Sequence, residues 1–183
     1  ADAIVRSLVG SERCIRDRLV GAGSVGLGSA WELALKGHSV TLLDPRWNKP
    51  VLRQTSDREL HGTSASLGVL RGNVFRRTSG RGWRLRRRSM QLWPRWVKAL
   101  KAFETSLTLQ TGLLQIAADR ESATRMGALA EQRSDLGLEL QTSEQVCTIW
   151  PTALHGALHS SADGRIDPLQ LQIALRRALL QES

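Results

Sequence analysis

Residues 20–45 have the sequence VGAGSVGLGSAWELALKGHSVTLLDP, which contains the strongest indication of the fold class. Its glycine pattern GxGxxG at residues 21–26 follows two apolar residues and precedes a helical pattern that Gly37 ends. A second apolar run at residues 40–43 leads directly to Asp44. The order of strand, glycine turn, helix and strand within about 30 residues predicts a βαβ unit and an α/β fold.

Each part of the pattern has a physical role in a dinucleotide site. Gly21 allows a tight turn out of the strand, Gly23 lets the backbone approach a pyrophosphate, and Gly26 lets helix and strand pack closely. The amino terminus of the helix attracts phosphates through its free N–H groups and its dipole. Asp44 can accept hydrogen bonds from the adenosine ribose, which disfavours the 2′-phosphate of NADP.

These residues leave three points open. The βαβ unit alone does not separate FAD from NAD as the ligand. A glycine-rich turn in an ordinary α/β protein would show the same pattern. Arg46 could pack on the adenine or could simply be solvated.

Composition excludes several classes of protein. No apolar run approaches the roughly 20 residues of a membrane-spanning helix, and residues 1–20 lack the apolar core of a secretory signal. The two cysteines, Cys14 and Cys147, cannot build a disulfide scaffold, which favours a reducing, cytoplasmic location. No cysteine and histidine cluster has metal-ligand spacing, so we expect no metal site.

The first 18 residues fit the βαβ unit poorly. A central parallel strand is normally an almost continuous apolar run, whereas Arg16, Asp17 and Arg18 occupy that position here. We therefore expect residues 1–18 to be a leader that is not part of the fold.

Apolar periodicity predicts the elements beyond the βαβ unit. Residues 78–104 are expected to form a helix that Pro94 kinks or splits. The sequence Ala-Asp-Gly-Arg at residues 162–165 predicts the turn of a hairpin. The other predicted elements are a strand at 111–117, a helix at 121–136, a capping box at 142–145 and a last helix opened by Asp167 and Pro168.

Three stretches together carry a resemblance to a known family. They are the βαβ stretch at 20–45, GTSASLGVL at 62–70 and GALHSSADGRIDPLQLQIAL at 156–175. On these stretches the chain resembles the amino-terminal half of the FAD-dependent amino-acid oxidases and dehydrogenases of the D-amino-acid oxidase superfamily. It most resembles glycine oxidase-like members of the thiamine pathway. The resemblance implies a Rossmann-like FAD-binding unit joined to part of an α+β substrate domain.

The resemblance assigns FAD as the cofactor and implies a second cofactor loop. In that loop Thr63 and Ser64 would donate hydrogen bonds to phosphate or ribitol. Gly68, Val69 and Leu70 would line the flavin, although the family often has methionine at the position of Val69. The full set of implied cofactor-binding residues is Gly21, Ala22, Gly23, Ser24, Val25, Gly26, Asp44, Arg46, Thr63, Ser64, Gly68, Val69 and Leu70.

The activity implied by the resemblance is oxidation of the C–N bond of a small-molecule amino acid or amine. Chains of the family are considerably longer, so we expect a fragment that lacks the groups holding the substrate carboxylate. No catalytic residue is assigned for that reason. The expected division is a leader at 1–18, an FAD-binding segment at 19–75, and a helical segment with the truncated start of the substrate domain at 76–183.

The positive charge is concentrated in one segment. The net charge is +9, and residues 71–101 contain eleven basic side chains and no acidic one. With Phe75 and Trp83 among its arginines, this segment could bind nucleic acid. We expect instead a solvated helix of a flavoenzyme that helps to attract anionic ligands, and neither a nucleic-acid nor a membrane partner. A fragment of an NAD-dependent Rossmann enzyme is the other alternative, and the oligomeric state is not predicted.

Overall fold

The computed structural model divides the chain into two compact units, which are described here one by one. Unit 1 comprises Ala1–Gly68, Val97–Thr108 and Asp167–Ser183, and unit 2 comprises Val69–Trp96 and Leu109–Ile166. The residues that the structure describes are 3–6, 16–51, 62–75, 77 and 79–181, with the backbone alone described for 3–6 and 16.

The two units differ from the predicted division between residues 75 and 76. The chain returns to unit 1 at residues 97–108 and again at residues 167–183, so the last helix shares a unit with the βαβ stretch. Helices and sheets bury their apolar faces against one another whatever their order in the chain. A single domain boundary predicted from the sequence cannot describe a unit that is made of three separate segments.

Unit 1 contains a three-stranded sheet in the order β1–β3–β2. Strand β2 (Arg16–Val20) runs parallel to β3 (Ser39–Asp44), and helix α1 (Ser24–Ala34) connects them. The register pairs Val20 with Leu43, so both strands end beside the glycine turn. The predicted βαβ unit is therefore confirmed.

The expectation that residues 1–18 lie outside the fold does not hold for the described part of that segment. Strand β1 (Ala3–Arg6) pairs antiparallel with β3, and residues 16–18 belong to β2. Strand pairing uses backbone N–H and C=O groups, which charged residues supply as well as apolar ones. Arg18 and Val20 are exposed, Val20 at 85%, so this face of β2 has no need of apolar residues. Residues 7–15 lie outside the described residues.

Helices α1 and α5 (Pro168–Gln181) pack against each other in unit 1. Asp167 caps α5, because its Oδ1 accepts hydrogen bonds from the N–H groups of Leu169 and Gln170 at 2.9 and 3.2 Å. The predicted start of the last helix is confirmed. The buried side chains of the two helices include Leu27, Ala30, Trp31, Leu171, Leu175 and Leu179.

Unit 2 is built on a four-stranded antiparallel sheet. Its long strand β7 (Ala157–Ile166) pairs with β4 (Val69–Leu70), β5 (Leu109–Ile116) and β6 (Leu138–Gln141). Helix α3 (Arg120–Gln132) packs on β6 and β7 and closes an apolar core around them. The strand and the helix predicted for this region are confirmed.

Two further helices complete the described chain. Helix α2 (Gly80–Leu100) is not split at Pro94; proline removes one backbone donor, and burial of Val97 and Leu100 offsets that loss. Helix α4 (Ser143–Cys147) begins with the predicted capping box between Thr142 and Gln145. Among the described residues, no helix has both the length and the apolar character needed to cross a membrane.

The prediction of a hairpin turn at residues 162–165 is wrong, because these residues belong to the continuous strand β7. Asp163 lies within the strand and its carboxylate accepts hydrogen bonds from three consecutive N–H groups at residues 72–74, at 2.8–3.0 Å. A Cβ on Gly164 would overlap the backbone carbonyl of Gln110. The turn-forming pair Asp-Gly therefore serves contacts distant in sequence.

Candidate functional site

The glycine turn lies where β2 ends and α1 begins. Gly21 has φ +96°, a backbone angle that residues with a side chain rarely adopt. A Cβ at this position would have no other atom within 4 Å. Its N–H donates to the Leu43 carbonyl at 2.8 Å and joins the turn to β3. A Cβ on Gly26 would overlap the Gly21 carbonyl, so the helix can pack on the turn here only with glycine. The turn and packing roles expected for these glycines match this geometry.

The amino terminus of α1 is contacted by the side chain of Thr63. Its N-cap residue Gly23 makes no side-chain cap, and the first turn has no acidic residue. The Ser24 N–H donates to Thr63 Oγ1 at 2.9 Å, and the Ser24 hydroxyl lies 3.3 Å from the same oxygen. A Cβ on Gly23 would approach that oxygen to 3.0 Å. Thr63 is thus held at the helix terminus by both polar groups of Ser24.

Asp44 connects the end of β3 to the glycine turn. Its Oδ2 accepts from the Ala22 N–H at 2.6 Å and its Oδ1 from the Arg46 N–H at 2.7 Å. A carboxylate has about four lone-pair positions, so each oxygen can accept another hydrogen bond. Asp44 is half-buried.

Helix α5 reaches the glycine turn through a residue that the sequence did not single out. Gln172 is 7% exposed, and its Nε2 donates to the Ala22 carbonyl at 2.9 Å. Ala22 is therefore held on both sides, since its N–H donates to Asp44. The glycine turn is fixed by one contact from β3 and one from α5.

One turn further along α5, Arg176 holds the loop that follows β3. Its guanidinium donates to the carbonyls of Trp47 and Lys49, the latter at 3.0 Å, and lies 4.8 Å from the centroid of the buried Trp47 ring. Burial lowers the pKa of the Arg176 guanidinium, and the neighbouring Asp44 carboxylate opposes that shift. The loop after β3 is thereby attached to helix α5.

The other site residues predicted in unit 1 surround this core less closely. Val25 is 84% exposed in the first turn of α1, whereas Leu27 in the same helix is buried. Ser64 is half-buried. Gly68 has φ +68°, and its N–H donates to Ser66 Oγ at 3.1 Å.

The two remaining predicted residues, Val69 and Leu70, form β4 in unit 2. The segment after β4 is held by two buried charges. Asp163 binds its N–H groups, and Arg133, which is 3% exposed, donates to the carbonyls of Asn73 and Arg77. Burial lowers the pKa of the Arg133 guanidinium, and the Asp163 carboxylate opposes that shift.

The family model for FAD-dependent oxidoreductases, DAO, matches residues 19–182. The chain belongs to this family. Its cofactor is FAD, which separates the chain from the NAD-dependent Rossmann enzymes that the βαβ unit alone left open. No curated protein matches the chain.

Solved structures of other proteins share the fold at low identity. Glycine oxidase from Geobacillus kaustophilus has a TM-score of 0.71 and 23% identity, over 91% of this chain and 45% of that one. Iminodiacetate oxidase from Chelativorans sp. BNC1 has a TM-score of 0.69 and 19% identity, over 91% of this chain and 45% of that one. L-α-glycerophosphate oxidase from Mycoplasma pneumoniae with FAD bound has a TM-score of 0.64 and 18% identity, over 91% of this chain and 42% of that one. The chain thus spans less than half the length of each.

The geometry of unit 1 fits the FAD of this oxidoreductase family. The glycine turn and the amino terminus of α1, whose first turn has no acidic residue, would bind the pyrophosphate. The Thr63 hydroxyl would donate to it, and the Asp44 carboxylate would accept from the ribose. These are the groups of unit 1 that could hold the ADP part of FAD.

Sequence reasoning missed Gln172 and Arg176 because their partners lie more than 100 positions away in the chain. One signal was present in the sequence. Both are polar residues spaced i, i+4 beside the apolar stripe of Leu171 and Leu175, where a surface helix normally turns to solvent.

Proposed function

We propose that this chain is the FAD-binding part of an oxidoreductase that oxidises the C–N bond of an amino acid or amine, like a glycine oxidase. The observation that carries the proposal is the joint position of Asp44, the glycine turn and Thr63 at the start of α1. Two of the three structural relatives named above are a glycine oxidase and an iminodiacetate oxidase, which supports the amine class. The thiamine-pathway role and the cytoplasmic location implied by the sequence are part of the same proposal.

When bound, FAD supplies the acceptor for a hydride. The Gly21–Gly26 turn would bind the pyrophosphate, Thr63 and Ser64 would donate to phosphate or ribitol, and Asp44 would orient the ribose. Residues 68–70 would line the flavin through their backbone. The proposed reaction oxidises the substrate Cα–N bond to an imine, which water then hydrolyses. Catalytic side chains stay unassigned, because the chain spans less than half of its relatives.

The experiment is to add excess FAD to the purified chain, record the flavin absorbance after gel filtration, and assay peroxide with glycine, D-amino acids and glycerol 3-phosphate. We expect weak retention of FAD and little or no peroxide, with any residual turnover limited to the amines. Stoichiometric yellow protein that oxidises an amine rapidly would show that this chain suffices. Turnover of glycerol 3-phosphate alone would overturn the amine class.

A further inference from the structure

We propose that Gln172 and Arg176 are positioning residues that fix the two loops of the nucleotide cradle, namely the glycine turn and the loop at residues 45–49. This inference rests on the proposed function, since it concerns the ADP part of FAD. It gives α5 a role in cofactor binding through residues outside the glycine motif and the second cofactor loop.

Gln172 and Arg176 lie four positions apart on one helix. Positions i and i+4 lie on the same face, so Gln172 and Arg176 point to the same side of α5. Gln172 binds the carbonyl of Ala22 in the glycine turn, and Arg176 binds the carbonyls of Trp47 and Lys49. Both loops are therefore attached to a single helix, which is itself packed on α1.

Gln172 is costly for the fold, which argues for a role in the site. Its Oε1 is buried and has no hydrogen-bond partner among the described residues. An unsatisfied buried carbonyl lowers stability, and an apolar residue beside Leu171 and Leu175 would avoid that loss. What the glutamine provides in return is the contact with Ala22. A buried polar residue thus takes the place of an apolar one at the position that contacts the glycine turn.

Arg176 links the same helix to the ribose side of the cradle. Its guanidinium stacks on the buried ring of Trp47 and binds the loop carbonyls, so the chain direction after Asp44 is fixed. The Asp44 carboxylate interacts electrostatically with this cation. A loop held in this way presents a constant surface beside the ribose, where the adenine would lie, and preorganisation of that kind raises affinity.

The test is calorimetric titration of the whole chain with FAD and with ADP. Arg176→Met removes the positive charge and both guanidinium donors that bind the loop carbonyls. Arg177→Met is the matched control, because the adjacent Arg177 donates instead to the carbonyl of Phe103 and to Glu104. We expect Arg176→Met to weaken both nucleotides by about 10-fold and Arg177→Met by less than about 2-fold. Arg176→Lys, which keeps the charge and one donor, should recover part of the loss.

Gln172→Leu separates positioning from folding. The variant loses one hydrogen bond and gains a buried apolar side chain, so we expect the melting temperature to stay within about 4 °C. The affinity for FAD and ADP should nevertheless fall about 5-fold. A lower melting temperature with unchanged affinity would mean that Gln172 only supports the fold, and would overturn its assigned role.

The outcomes distinguish the two proposals. If the wild-type chain binds neither FAD nor ADP at millimolar concentration, the cofactor part of the proposed function fails and the inference fails with it. If the wild type binds both and Arg176→Met matches Arg177→Met, only the inference fails. Should Arg176→Met not fold, Arg176→Lys and Gln172→Leu carry the test, and unchanged affinity in both would contradict the inference.

Discussion

The Asp44 carboxylate accepts a hydrogen bond from the Ala22 N–H at 2.6 Å, and this contact joins the end of β3 to the glycine turn. The same carboxylate accepts from the Arg46 N–H, so it organises the backbone on both sides of the expected ribose position. Asp44 thus supports the fold of the turn in addition to the contact with the ribose that we propose for it. A substitution there should affect cofactor binding more than the loss of one ribose contact alone.

Asp44→Ala is expected to weaken FAD binding by about 1.5–3 kcal/mol, or roughly 10- to 150-fold, because a charge-assisted acceptor is lost. The measurement is quenching of flavin fluorescence as the chain is titrated. Asp135→Ala is the matched control, since Asp135 is exposed and belongs to unit 2. Equal affinities of the two variants would count against the site.

Gly26→Ala is expected to destabilise the chain by about 1–3 kcal/mol, because the new methyl group would overlap the Gly21 carbonyl. Gly82→Ala is the comparison, as Gly82 also lies in a helix but has open space around it. Alanine there should stabilise α2 by about 0.5–1 kcal/mol. Urea unfolding of both variants measures the difference, and similar midpoints would show that α1 does not press on the glycine turn.

Removal of the Asp163 carboxylate is expected to cost unit 2 about 3–5 kcal/mol, because the three N–H groups at residues 72–74 lose their acceptor and buried Arg133 loses its counter-charge. Asp163→Ala and the exposed Asp135→Ala can be compared by urea unfolding followed by tryptophan fluorescence. If both variants unfold at the same urea concentration, the segment after β4 does not depend on Asp163.

The arginine-rich segment at residues 71–101 is expected to bind DNA only at low salt. Arginines of this segment make contacts within unit 2. Arg71 donates to Gln115 Oε1 at 2.9 Å, Arg86 lies 3.8 Å from the centroid of Phe75, and Arg87 lies 5.9 Å from that of Trp83. A gel shift with duplex DNA should therefore disappear by about 150 mM salt, as non-specific charge contacts do. A shift that persists near 200 mM would favour the nucleic-acid alternative.

The βαβ unit could be predicted because its determinants are local. The glycine pattern, the period of α1 and the run before Asp44 all lie within residues 20–45. The cap of α5 by Asp167 and the box at Thr142 are local in the same sense. For such features the residue types nearby are sufficient.

What could not be predicted depends on partners distant in sequence. Asp163 and Gly164 form a favoured turn pair, yet residues 72–74 and Gln110 hold them in a strand. The charged residues of β2 argued against a strand, whereas pairing with β3 requires only their backbone. The role of Gln172 likewise depends on its hydrogen bond to Ala22, and no sequence pattern predicts a contact between these two distant positions.

The most direct test of the central claim is a competition experiment on the whole chain, because the claim is that its glycine turn binds the ADP part of FAD. FAD is titrated with flavin fluorescence as the signal, and ADP or FMN is added as competitor. We expect saturable FAD binding that ADP displaces and that FMN, which lacks the adenosine part, does not displace. No saturation by FAD, or equal displacement by FMN and ADP, would contradict it.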